Sequence, residues 1–158
     1  MVTGVMEKEA RELNRVFMTF QEKRRPYIYL KWAQSADGFM DRGRTDNTSP
    51  AVVLSSPETM RRCILCGRMV ALVMVGTQTA FLDNPSLTVR HWAGNSPVRA
   101  VLDRTLRIPS HYHLLDGTVK TLVFTAGKAE NRENVEYVTL DFFTVSLAAG
   151  DARIVLYR

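Results

Sequence analysis

The sequence predicts an α/β fold, on three observations. The run from Val70 to Val75 is unbroken apolar, rich in valine, and ends at Gly76. A strand buried on both faces reads this way. Further β-forming runs recur at residues 98–102, 119–125 and 135–140. Stretches with helical spacing or helix-start signals precede or separate these runs, and strands alternating with helices build an α/β sheet. The chain has 158 residues, 46% hydrophobic and 23% charged, which suits one globular domain with a substantial core.

Residues 6–20 open the order of elements. Met6, Ala10, Leu13, Val16, Phe17 and Phe20 fall at helical spacing. Glu7, Glu9 and Glu12 lie early and Lys23, Arg24 and Arg25 follow, as the helix dipole favours. Residues 1–24 therefore read as a linker helix, or the remnant of an upstream domain. Arg25-Pro26 then opens an extended segment, predicted as a strand over 27–33. Alternation puts Tyr27, Tyr29, Lys31 and Ala33 on one of its faces. Lys31 has two readings: a gatekeeper charge on an edge strand, or a cation aimed into a cleft.

Ala36-Asp37-Gly38 signals a turn, and residues 41–50 form a polar surface loop open to movement. A short strand is expected at 51–54. Ser55-Ser56-Pro57-Glu58 starts a helix that runs to Arg68, with Ser55 as cap, Pro57 in the first turn and Glu58 closing a capping box. The central strand follows. Thr77 is expected to cap a helical turn over 78–82, which Asn84-Pro85-Ser86 stops. Such a joint is either an ordinary strand–loop–helix connection or a ligand site, because ligands collect at the carboxyl ends of strands in open α/β sheets and helix starts favour phosphate. The later strands are separated by loops, and residues 152–157 read as one more strand or as the start of an unfinished element.

Several function classes receive no support. No apolar run approaches the length of a membrane span, and residues 1–10 carry no signal-peptide core, so the cytoplasm is the expected compartment. The net charge of +5 suits a phosphorylated substrate or cofactor, while no nucleic-acid-binding module is legible. The two cysteines form a single Cys63-x-x-Cys66 without the further ligands that zinc needs, and are expected as buried, inert thiols inside a helix. His111 and His113 lie in a loop with no third ligand apparent. No Walker or Gly-x-Gly-x-x-Gly loop is present.

Three stretches together resemble one family. Arg25-Pro26-Tyr27-Ile28-Tyr29-Leu30-Lys31-Trp32-Ala33-Gln34-Ser35-Ala36-Asp37-Gly38 resembles the Arg-Pro-Tyr-Val-x-Leu-Lys-x-Ala-x-Ser-x-Asp-Gly opening of the reductase domain of the riboflavin-biosynthesis bifunctional deaminase/reductase. Val75-Gly76-Thr77, with Asp83-Asn84-Pro85-Ser86-Leu87-Thr88-Val89-Arg90, resembles its second signature. Pro97-Val98-Arg99-Ala100-Val101-Leu102-Asp103 resembles its third. The match covers residues 25–109, in the family's order and spacing.

The resemblance implies a dihydrofolate-reductase-like fold, a mostly parallel sheet flanked by helices. It implies NADPH-dependent reduction of 5-amino-6-(5-phosphoribosylamino)uracil, a phosphorylated pyrimidine, to the ribitylamino product. It also implies a homodimer and a neighbouring deaminase domain; with no binding module and no span legible, no nucleic-acid or membrane partner is expected. Carried over position by position, Lys31 is the catalytic lysine facing substrate. Leu87 and Arg90 contact substrate, Arg90 through its phosphate, and Ala33, Thr79 and Asp83 contact cofactor. Arg104 follows the third signature on the adenosine side, where an arginine suits a 2′-phosphate.

The chain also departs from the family pattern. Ile64 and Gly67 stand where the family carries a His and a substrate-binding Arg, with Arg68 beside the second position. Val52-Val53-Leu54 replaces a Trp-Ile-Thr-like segment. The Val-Glu-Gly-Gly turn has no counterpart before Arg158. The expected organisation is thus a reductase domain over 25–158 lacking its C-terminal part. The alternative reading is a catalytically incomplete fragment of the same fold that binds nucleotide or phosphate, or serves in assembly.

Overall fold

The computed structural model describes residues 4–90 and 93–142, without the side chain of Arg68. The described residues divide into two units, 4–30 and 31–142. The strand or unfinished element read at 152–157 lies outside them.

In the first unit the expected single helix is two: α1 (Glu7–Leu13) and α2 (Arg15–Lys23). The break is at Asn14, whose side-chain amide donates to the Ala10 carbonyl at 2.9 Å. An asparagine that bonds its own backbone competes with helix propagation. Arg24, left-handed at φ 50°, closes α2. Beyond it the Arg15 guanidinium sits 5.5 Å from the centre of the Tyr27 ring. Neither helix has a buried residue.

The second unit is built on a four-stranded sheet of order β1-β2-β3-β4, parallel throughout. Its elements are α3 (Pro57–Arg68), β1 (Leu72–Gly76), α4 (Thr77–Asp83), β2 (Val98–Leu102), a 3-10 turn (His113–Leu115), β3 (Thr121–Thr125) and β4 (Val135–Thr139). Met74 and Val75, neighbours that point to opposite faces, are both buried, so the sheet is covered on each side there. Val101 and Val123 lie beside one another in β2 and β3 and are essentially inaccessible. Burying each contributes roughly 1.5–3 kcal/mol. Ala80 of α4 and Leu114 of the 3-10 turn complete this core.

A charged side chain lies beside it. Arg99 of β2 is fully buried, and its guanidinium is satisfied throughout. Nε donates to Thr121 Oγ1 (2.8 Å), Nη1 to the carbonyls of His113 (2.7 Å) and Ser86 (3.3 Å), and Nη2 to Asp116 Oδ1 (2.9 Å) and the Val119 carbonyl (2.9 Å). Arg99 thus ties the loop after α4, the 3-10 turn and the entry to β3 into one unit. At the other end of β2, Asp103 accepts from the amides of Arg107 (2.9 Å) and Ile108 (3.0 Å), fixing the exit of the chain.

Several local expectations need correction. Residues 27–33 and 51–54 form no strand among the described residues. Leu30, Trp32 and Val53 are exposed, and no described strand lies alongside to pair their backbone groups. The cap of α3 is Ser56, not Ser55: its Oγ accepts from the Thr59 amide at 3.3 Å. Gly76 rather than Thr77 is the N-cap of α4, because the Thr77 hydroxyl is used elsewhere, donating to the Leu102 carbonyl across to β2. The thiols are not buried: Cys63 is half-buried and Cys66 exposed.

Candidate functional site

Four of the residues singled out by the resemblance lie on one cleft. Lys31, Ala33, Thr79 and Asp83 line a cavity of ≈ 1060 Å³ in the second unit. Its walls come from three pieces of chain: residues 31–44, residues 51–55 with Met60 of α3, and one side of α4.

The first wall is shaped by the Ala36-Asp37-Gly38 turn. The Gly38 amide donates to the Ser35 carbonyl at 2.9 Å, and the Ser35 amide to the Phe39 carbonyl at 2.8 Å. Gly38 is left-handed at φ 88°, a conformation suited to glycine. The Ser35 hydroxyl donates to Asp37 and accepts from the Phe39 amide. Lys31 is exposed and lines the cleft, and no described residue forms an ion pair with it. The gatekeeper reading of Lys31 needed an edge strand, and residues 27–33 are not one. Ala33, half-buried, also lines the cleft.

The second wall is α4. It starts where β1 ends, at Gly76, so the buried strand delivers the helix directly to the rim. Gln78, Thr79, Leu82 and Asp83 face the cavity. Asp83 is not a free carboxylate: Arg44 Nη2 donates to its Oδ1. Arg44 is the residue that sequence reasoning missed. The only local signal was the Asp41–Arg44 spacing in a loop that read as plain polar surface, and Asp83 lies 39 positions away. The loop is anchored twice, through Arg44 and through Asn47, whose amide donates to the Tyr112 hydroxyl at 2.9 Å.

The other expected residues lie off this cleft. Leu87 takes a left-handed conformation (φ 50°) and packs its half-buried side chain against the core. Arg90 is exposed. The neighbouring Val89 amide donates to Ser96 Oγ at 3.1 Å, beside the chain entering β2 and so toward the amino end of the sheet. Arg104, also exposed, follows β2, and its carbonyl is fixed by the Ala126 amide (3.1 Å) and the Thr125 hydroxyl (3.1 Å). Gly67 lies in α3, and a Cβ built there would meet nothing within 4 Å, so its helix position has room for a side chain.

The electrostatics of the cleft are those of matched opposite charges. Hydrogen bonds from the Arg42 amide and then from Arg44 hold the Asp41 carboxyl below its ordinary range. Arg44 is raised, first by Asp83 and then by Asp41.

Comparison with known proteins gives the family. The family described as RibD C-terminal domain matches residues 26–153. The riboflavin biosynthesis protein RibD of Aquifex aeolicus is 36% identical over 84% of this chain. That of Bacillus amyloliquefaciens is 35% identical over 83%. The 2,5-diamino-6-ribosylamino-4(3H)-pyrimidinone 5′-phosphate reductase of Methanothermobacter thermautotrophicus is 29% identical over 84%. The chain spans 37%, 35% and 59% of the lengths of those three proteins. Among solved structures, the deaminase/5-amino-6-(5-phosphoribosylamino)uracil reductase of Thermotoga maritima superposes with a TM-score of 0.74 at 29% identity, over 88% of this chain and 39% of that one. Acinetobacter baumannii RibD shares the fold, with a TM-score of 0.67 at 24% identity over 87% of this chain and 40% of that one. The fold is therefore the dihydrofolate-reductase-like fold of these reductase domains, and the chain belongs to the RibD C-terminal domain family.

Proposed function

We propose that this chain is an NADPH-dependent reductase of 5-amino-6-(5-phosphoribosylamino)uracil, acting in riboflavin biosynthesis. The observation that carries the reading is the convergence of Lys31, Ala33, Thr79 and Asp83 on one cleft in a chain of this family. The cleft fits a nicotinamide cofactor. Its volume is just above the usual range for ligand sites, Ala33 lines one wall, and Thr79 and Asp83 offer polar groups along α4.

A bound nicotinamide would supply the hydride. The chain's own residues do the remaining work. Lys31 presents an ammonium that can protonate, or offset the charge on, the oxygen or nitrogen released as the ribose opens to the ribityl chain. Asp83 Oδ1 is occupied by Arg44, which leaves the other oxygen to accept a cofactor hydroxyl. In this reading Arg90 supplies a cation for the substrate phosphate, and Leu87 contributes a backbone contact. The same reading carries a homodimer, association with a deaminase domain and a cytoplasmic setting. No helix among the described residues is long and apolar enough to cross a membrane.

Substrate-dependent oxidation of NADPH by the purified chain tests the proposal. Cofactor binding without turnover would select the alternative, a binding fragment of the same fold. NADPH is expected to bind more tightly than NADH, because the resemblance puts Arg104 on the adenosine side, where an arginine suits a 2′-phosphate. Calorimetric titration with both cofactors checks this, and equal affinities would remove Arg104 from the cofactor site.

A further inference from the structure

The least expected group in the cleft is a guanidinium whose side chain is only 8% exposed. Arg44 Nε donates to Asp41 Oδ2 at 2.7 Å. Nη1 reaches the carbonyls of Ser49 (3.2 Å) and Leu82 (3.4 Å), and Nη2 the Asp83 carboxylate. Three segments therefore meet on one side chain: both arms of the 41–50 loop and the end of α4. The Leu82 carbonyl belongs to the last turn of α4, whose carbonyls lack helical partners and carry the negative end of the dipole. Asp83 adds a full negative charge at that same end, an arrangement that disfavours the helix unless a cation offsets it.

We propose that Arg44 is the positioning residue of this cleft, holding Asp83 and the 41–50 loop in place and cancelling carboxylate charge that would repel the phosphates of a dinucleotide. The inference rests on the cofactor reading given above and extends it to a residue outside the family signatures. The physics requires a guanidinium here. A lysine would keep the charge, but its compact ammonium cannot bridge two carboxylates and two carbonyls in a fixed plane. Without either cation, Asp41 and Asp83 stand uncompensated on the wall facing the cofactor.

The test is a double-mutant cycle on the full chain, with NADPH affinity read by titration and folding read by thermal melting. Arg44→Gln is expected to weaken NADPH binding about tenfold, more at low salt than at high salt because screening mutes the exposed carboxylates. Arg44→Lys should recover part of this. The loss in Arg44→Gln/Asp83→Asn should be smaller than the product of the two single losses, since the second substitution removes the charge that the first exposes. A merely structural arginine would lower the melting temperature while leaving the two effects on affinity multiplicative and independent of salt, and that result would overturn the proposal. Arg44→Lys with wild-type affinity would overturn it too. If Arg44→Gln does not fold, Arg44→Lys and its combination with Asp83→Asn carry the same cycle. Failure of the unaltered chain to bind NADPH is a different outcome, visible before any variant is compared; it removes the cofactor reading and this inference with it.

Discussion

Replacing Lys31 by alanine is expected to lower kcat about a hundredfold or more, while NADPH affinity stays near that of the unaltered chain. Lys31 lines the cleft beside Ala33 and forms no ion pair with a described residue, so its charge is available to a ligand. A group that delivers a proton, or stabilises charge, only as the ribose opens acts in the transition state and not in the ground state. Its removal therefore lowers kcat and kcat/KM together. Arg90 supplies the contrast. The resemblance gives it the substrate phosphate, although it lies off the cleft; a phosphate is bound alike before and during reaction, so in that role Arg90→Ala should raise KM and leave kcat nearly unchanged. Steady-state kinetics with the phosphoribosylaminouracil substrate separates the two. Near-normal kcat in Lys31→Ala would mean that the proton comes from water or another group. Unchanged KM in Arg90→Ala would take the arginine out of the site.

The contrast between these residues reflects what a sequence can and cannot carry. Elements whose signal is local were legible. The apolar run into Gly76, the valine-rich β2 and the Pro57 helix start each contain their own instructions, and they appear within a residue or two of the expected bounds. The segment over 27–33 has β-forming residues too, but a strand is a pairwise structure, and its apolar side chains are exposed with no described neighbour to cover them. Ala33, Thr79 and Asp83 were named only through the resemblance to a family; alternation singled out Lys31 but left it between two readings, and the resemblance chose the cleft. Arg44 and Arg99 escaped both routes. Each is defined by partners spread along the chain: Arg44 by Asp83, and Arg99 by carbonyls from Ser86 to Val119. Arg99 even sits inside a quoted signature, where alternation gives no hint that it is the largest fully buried side chain described.

That burial makes Asp116→Ala the substitution with the largest expected effect on stability. Asp116 Oδ1 accepts from Arg99 Nη2 (2.9 Å), the Thr118 amide (2.9 Å) and the Thr118 hydroxyl (2.7 Å). Removing it leaves an inaccessible guanidinium without its carboxylate; because Asp116 itself is exposed and Arg99 keeps its carbonyl and Thr121 acceptors, the cost should fall below the roughly 3–5 kcal/mol of a fully buried pair. Asp116→Asn keeps an acceptor oxygen and loses only the charge, so its cost should be smaller. Urea unfolding at neutral pH gives the order: wild type most stable, then Asn, then Ala. The same carboxylate sets an acid limit. Burial alone would raise its pKa, but the Thr118 amide, Arg99 and the Thr118 hydroxyl outweigh burial and bring it down to about 2. A folded pKa below the unfolded value contributes stability that is fully present above the unfolded carboxylate range. That contribution fades as pH falls from about 4 toward 2, muted by solvent screening because Asp116 is exposed. Stability of the wild type should therefore drop across that window more steeply than that of Asp116→Ala, which has no carboxylate there to protonate. Parallel slopes in the two proteins, or an Asp116→Ala chain within about 0.5 kcal/mol of wild type at neutral pH, would show that the Arg99 network is held by its carbonyls and Thr121 alone.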